Sequence, residues 1–267
     1  MQGMPEFLQT GPVRTAYECQ GSGPVLVLMH GAEASRLMFS ALCERLAPHL
    51  TVVAYDQRDC GDTQGPPEDC TLAELADDAA ALIRGLGHER VHVFGSSFGG
   101  RVAQALALRH THLVDRLVLA STWPLPDDLR TLNPEGVARI EALRLGLPET
   151  AEELAGLLFP EAFLQQRPEL RRVFAQVQPA TERSARRKKA VDSTLDMNWT
   201  LLGMPVLLVS GELDQVVPSH VTQRIAAQLA HAHSIELGGV GHATALQTPD
   251  LLAMHLSQFL TAPHSTH

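Results

Sequence analysis

Lysine is nearly missing from this chain. Of 267 residues only Lys188 and Lys189 are lysines, side by side in the one local basic run. Asp and Glu outnumber Lys and Arg by 30 to 21, a formal net charge of −9. That balance argues against nucleic acid or an anionic membrane surface as the main partner, because both require a basic face. Aromatic residues are only 4% of the chain, so any pocket is expected to be lined mainly by Leu, Met and Ala. The four cysteines, Cys19, Cys43, Cys60 and Cys70, form no Cys-x-x-Cys pair and no zinc-like spacing. In a chain this long they read as reduced thiols, not as a disulfide framework. No uncharged apolar run approaches the roughly 18 to 20 residues that a membrane span needs. The opening "MQGMPEFLQT" lacks the charged region and apolar run of a secretory signal. The expectation is a soluble, cytoplasmic globular protein; nothing in the sequence sets an oligomeric state.

What is present is a rhythm. Short apolar runs alternate with helical patterns, as in a mostly parallel sheet covered by helices, the α/β class. Strands are expected at 24–31, 51–56, 113–121 and 204–211, with two more in "RVHVFG" and "HSIELGG". Helices are expected at 35–47, with Ser35 as N-cap, and at 71–87, 219–230 and 249–260. "EFLQ" and "VRTAYECQG" fit an antiparallel hairpin at one edge. Between 122 and 198 the rhythm breaks: no strand pattern occurs, and seven prolines from Pro124 to Pro179 punctuate short helical stretches. This segment reads as a helical insertion capping a core made of residues 1–121 and 199–267.

The stretch "HVFGSSFGGRVAQ" places two serines between a strand and a helix. The pattern Gly-x-Ser-x-Gly means most in such a context, where a tight turn presents one hydroxyl at a helix N-terminus. Only Ser97 has glycines two residues away on both sides, Gly95 and Gly99; Ser96 has Phe94 and Phe98 there. Ser97 is therefore the candidate nucleophile.

A serine hydroxyl needs a base to take its proton, and the base needs a third group to hold it. In strand–turn–helix serine enzymes the order along the chain is serine, acid, histidine. "VLLVSGELDQVVP" supplies Glu212 and Asp214 past a late strand, and Asp214 is the better placed. "ELGGVGHATALQTPD" then supplies His242 in a glycine-rich loop before the last helix. Acyl transfer also needs donors for the developing oxyanion. The backbone N–H of Phe98, directly after Ser97, is one candidate. The second is the N–H of Ala32 in "MHGAEAS", with Glu33 next in line and Gly31 permitting close approach. His30 is expected to hold this loop by hydrogen bonds.

With these motifs in hand, the chain resembles the α/β-hydrolase superfamily through residues 25–121 and 200–260. The resemblance implies that fold, a Ser97–His242–Asp214 triad, a small-molecule substrate, and no metal or organic cofactor. One motif departs from the pattern. Relatives commonly carry Asp-x-Arg-Gly-x-Gly-x-Ser after the second parallel strand; here "DQRDCGDT" has Asp59 for the first glycine and Thr63 for the serine. Asp56 and Arg58 are expected to knit that loop. A serine at the turn argues against the dehalogenases and epoxide hydrolases of this fold, which use aspartate. Trp123 is placed to wall the site. The run "TERSARRKKAVDS" reads as a solvated helix face, with guidance of an acidic substrate as the sharper alternative. The activity implied is hydrolysis of small esters or lactones, although the same triad also serves C–C bond hydrolysis, lyase or perhydrolase chemistry. A ligand receptor on the same scaffold is the alternative of another class.

Overall fold

The apolar runs build an eight-stranded sheet in a computed structural model that describes residues 4–32, 34–175, 181–229 and 231–263. The elements in chain order begin with β1 (Glu6–Thr10), β2 (Val13–Gly21), β3 (Val25–Met29), α1 (Ser40–Leu46), β4 (Thr51–Tyr55) and α2 (Leu72–Gly85). Next come β5 (Val91–Ser96), α3 (Phe98–Arg109) and β6 (Val114–Ala120). Residues 122–198 hold α4 (Leu129–Leu132), α5 (Pro134–Leu145), α6 (Ala151–Leu158), α7 (Glu161–Gln166) and α8 (Glu182–Asp192). The chain ends with β7 (Val206–Gly211), α9 (Ser219–Gln223), β8 (Ala232–Leu237), α10 (Thr244–Gln247) and α11 (Pro249–Leu260). The sheet order is β1-β2-β4-β3-β5-β6-β7-β8. Strands β3 to β8 run parallel, while β1 and β2 form an antiparallel hairpin at one edge. Among the described residues of 122–198 there is no strand.

Strand residues alternate between two cores. Val27, Met29, Leu117, Leu119 and Leu208 face the side covered by α2 and α3. Leu26, Leu28, Val118, Ala120 and Val209 face the side covered by α1 and α11. Burial on both faces explains why these strands read as unbroken apolar runs. Helix α2 starts at a capping box: Thr71 Oγ1 accepts from Glu74 N–H at 3.2 Å, and the Glu74 carboxylate accepts from Thr71 N–H at 2.8 Å.

Two helices differ from expectation. The segment 35–47 opens as a 3-10 turn over Arg36–Phe39 before α1, and the Ser35 hydroxyl makes no capping bond. The expected helix at 219–230 is α-helical only through Gln223. Arg224 N–H then reaches both His220 and Val221, and Ile225 bonds back to Thr222, so the chain tightens into i→i−3 bonds. Val221, Thr222 and Ile225 are β-branched and weak helix formers, and Thr222 is tied sideways to Thr122 by its hydroxyl.

Candidate active site

Parallel strands deliver their C-terminal ends to one rim, where the loops after β3, β5, β6, β7 and β8 meet. Ser97 stands between β5 and α3 with φ +55 and ψ −123, a backbone conformation that a serine rarely adopts. The surroundings hold it there. Its N–H donates to Ala120 O at 2.9 Å, and its carbonyl accepts from Thr122 Oγ1 at 2.7 Å. The flanking glycines are required by space. A Cβ on Gly95 would lie 2.4 Å from Gly99 O, and one on Gly99 would lie 2.1 Å from Met29 O. Ser96 is buried at the end of β5, so the turn presents Ser97 instead.

Ser97 Oγ lies 3.0 Å from His242 Nε2, and His242 Nδ1 lies 2.9 and 3.1 Å from the two oxygens of Asp214. A carboxylate only accepts, so Nδ1 carries the proton and Nε2 is free to accept from the serine hydroxyl. Asp214 is itself held by the N–H groups of Val216 (2.9 Å) and Val217 (2.8 Å). Glu212, the other acid of that loop, turns away and accepts from Gly239 N–H at 2.8 Å. His242 N–H donates to Leu158 O at 2.9 Å, which ties the histidine loop to the end of α6.

Phe98 is the first residue of α3, whose leading amides have no partner inside the helix. Ala32 follows Gly31, and a Cβ on Gly31 would meet Ser97 Cβ at 3.6 Å. That is ordinary contact, so the loop passes next to the serine but a glycine at 31 is not demanded by space. Glu33 lies outside the described residues. His30 is fully buried. Its Nε2 accepts from Gln57 N–H (3.0 Å), which leaves Nδ1 to donate to Gly31 O (2.8 Å). Burial, with the nearby Arg187 charge, pushes His30 down to about 3, so it is a neutral strut.

Trp123 is 5% exposed and packs with Val217 and Val221, under the loop that carries Asp214. Its indole N–H has no partner among the described residues. A cleft of about 390 Å³ is lined by Pro124, Pro126, Asp127, Trp199 and Arg224 among others. It includes none of Ser97, Asp214 and His242. Among the described residues no group of three or more His, Cys, Asp or Glu converges as a metal site.

The altered Asp-x-Arg loop is held by a set of charged and hydroxyl partners. Asp56 holds Arg36 and the N–H of Asp62, and Arg58 forks onto Asp78 of α2 at 2.7 and 2.9 Å. Asp59 adopts φ +63, which aspartate tolerates better than most side chains, and its buried carboxylate is met by Arg186 at 2.6 Å. Thr63 Oγ1 donates to Asp56 O and accepts from Ala16 N–H.

The basic run on α8 is divided: Lys188 and Lys189 are exposed, while its three arginines turn to the core. Arg183 donates to the carbonyls of Cys60, Gly61 and Thr63, Arg186 pairs with Asp59, and Arg187 is buried against the loop of Ala32. These three arginines bind the core. The charge run alone carried no sign of this, because every partner lies about 120 or more residues away in sequence.

Against known proteins, the α/β hydrolase fold family matches residues 24–249. The chain belongs to that family and is a hydrolase. A protein of Agrobacterium fabrum (strain C58 / ATCC 33970) named "Putative carbamate hydrolase RutD" is 30% identical over 254 residues, 91% of this chain and 95% of that protein. The crystal structure of a hydrolase from Pseudomonas aeruginosa PA01 is 29% identical, with a TM-score of 0.79 over 97% of this chain and 99% of that one. A thermophilic esterase from Thermogutta terrifontis, solved with malate bound, is 25% identical with a TM-score of 0.79 over 97% and 98% of the two chains. No helix among the described residues is long and apolar enough to cross a membrane.

Proposed function

We propose that this hydrolase cleaves small carboxylic esters or lactones through an acyl-enzyme on Ser97. The observation that carries the reading is the unbroken line from Ser97 Oγ through His242 to Asp214, with the serine held in strained backbone at the head of a helix. Ser97 attacks the substrate carbonyl as His242 Nε2 takes its proton. The tetrahedral oxyanion is met by the N–H groups of Phe98 and Ala32. Collapse expels the alcohol, protonated by His242; water then repeats the sequence and frees the acid. Asp214 keeps His242 in the useful tautomer throughout. The helical insertion caps the site, and Trp123, beside the Thr122 that holds the Ser97 carbonyl, walls the pocket.

The RutD relative's name favours a second substrate class. A carbamate presents the same carbonyl to the same serine, with nitrogen on one side. Turnover of p-nitrophenyl esters of increasing chain length, a γ-lactone and a p-nitrophenyl carbamate separates the cases. Ester or lactone kcat/KM at least tenfold above that for carbamate supports the first reading, and the reverse order replaces it by the second. Binding of these compounds without turnover overturns both in favour of a receptor.

A further inference from the structure

We infer that Arg187, on the insertion helix α8, is a positioning residue for the oxyanion hole, an inference that rests on the serine-hydrolase reading above. Arg187 is 5% exposed and its guanidinium makes no ion pair among the described residues. Its acceptors are neutral. Nε donates to Ala32 O at 3.0 Å, and Nη2 reaches Gly31 O at 3.5 Å and Gln57 Oε1 at 3.1 Å. On its other side the guanidinium carbon stands 4.5 Å from the centre of the Phe98 ring. One buried cation thus touches both residues whose amides face the developing negative charge.

The Gly31 carbonyl and the Ala32 N–H belong to the same trans peptide and point in opposite directions. Holding the oxygen therefore aims the hydrogen. Gly31 O is taken by His30 Nδ1 and Arg187 Nη2, while Ala32 O is taken by Arg187 Nε. The peptides on both sides of the Ala32 Cα are tied by their carbonyls, which fixes the rotation of that residue. Gln57 braces the arrangement from below: its Nε2 donates to His30 O and its Oε1 accepts from Arg187. Burying a guanidinium among neutral carbonyls is costly, and burial holds Arg187 below its ordinary value. Docking the helix alone does not require it, since Arg183, Arg186 and Lys189 already bind α8 to the core.

The test compares Arg187→Met and Arg187→Lys with Arg186→Ala, which weakens the docking of α8 without touching the loop of Ala32. Active sites are counted by burst titration, and kcat, KM and Tm are measured on the ester that the wild type turns over best. Expected for Arg187→Met is a kcat loss of ~10- to 100-fold per titrated site with KM within about twofold, because a misaimed donor weakens the transition state more than the ground state. Inhibition by a trifluoromethyl ketone, whose hemiketal oxyanion occupies the same hole, should weaken by the same factor. Arg187→Lys should recover part of the loss, and Arg186→Ala should lower Tm while keeping kcat within about twofold. An unchanged kcat in Arg187→Met, or an equal loss in Arg186→Ala, overturns the inference while leaving Ser97 chemistry standing. If neither Arg187 variant folds, Gln57→Leu takes their place, with a kcat loss expected and an unchanged kcat overturning the inference. Wild-type protein without turnover or a serine adduct overturns the serine-hydrolase reading and this inference together.

Discussion

The imidazole of His242 shares its Nδ1 proton between both oxygens of Asp214, at 2.9 and 3.1 Å, while two backbone amides hold that carboxylate from behind. Asn at 214 keeps the shape but presents one neutral oxygen and an NH₂, so His242 no longer has a fixed tautomer. Asp214→Asn is expected to lower kcat by ~10³- to 10⁴-fold with little change in stability. Glu212→Gln, two residues away, keeps an acceptor for Gly239 N–H and should leave kcat within about threefold. Steady-state kinetics on both variants checks the choice of acid.

Two glycines, Gly99 at the serine turn and Gly156 in α6, give stability predictions of opposite sign. Gly99→Ala drives a Cβ to 2.1 Å from Met29 O, at the end of β3, and 2.5 Å from His30 O in the buried loop that follows it. A loss of ~3 kcal/mol or more is expected. Gly156→Ala in α6 meets nothing within 4 Å and should gain about 0.5–1 kcal/mol from helix propensity. Urea unfolding of the two variants decides it.

His30 makes stability depend on pH. Its folded value, about 3, lies below the ordinary 6.5, so as pH falls the unfolded chain takes the proton first. The contribution is complete above about pH 6.5 and is lost as pH falls through that window toward 3. The slope from this one proton reaches ~1.4 kcal/mol per pH unit. Nitrogen NMR should show His30 neutral at pH 4, protonated on Nδ1 and bare on Nε2. Protonation of the folded protein above pH 5 would contradict the packing described.

The convergence of Ser97, Asp214 and His242 was legible because each sits just past a strand end, and a parallel sheet brings such ends to one rim. The two-sided burial of the strands was legible as unbroken apolar runs. Arg187 was not. A run of arginines has the same pattern whether it faces water or carbonyls, and Gly31, Ala32 and Gln57 reach it across at least 130 residues of chain. The loop at Asp59 looked irregular for the same reason, since the cation that neutralises it stands on α8. Where helix 219–230 ends early, Thr222 is bonded to Thr122, a hundred residues upstream, which no local pattern shows. Local pattern reports strand ends and glycine turns; it does not report which distant charge meets which carbonyl.

The most direct measurement is intact-protein mass spectrometry after fluorophosphonate treatment, with peptide mapping, on wild type, Ser97→Ala and Ser96→Ala. One adduct is expected on Ser97, retained in Ser96→Ala and absent from Ser97→Ala, with hydrolysis falling at least ~10³-fold in the latter alone. An adduct on another residue, or comparable losses in both variants, would contradict Ser97 as the nucleophile.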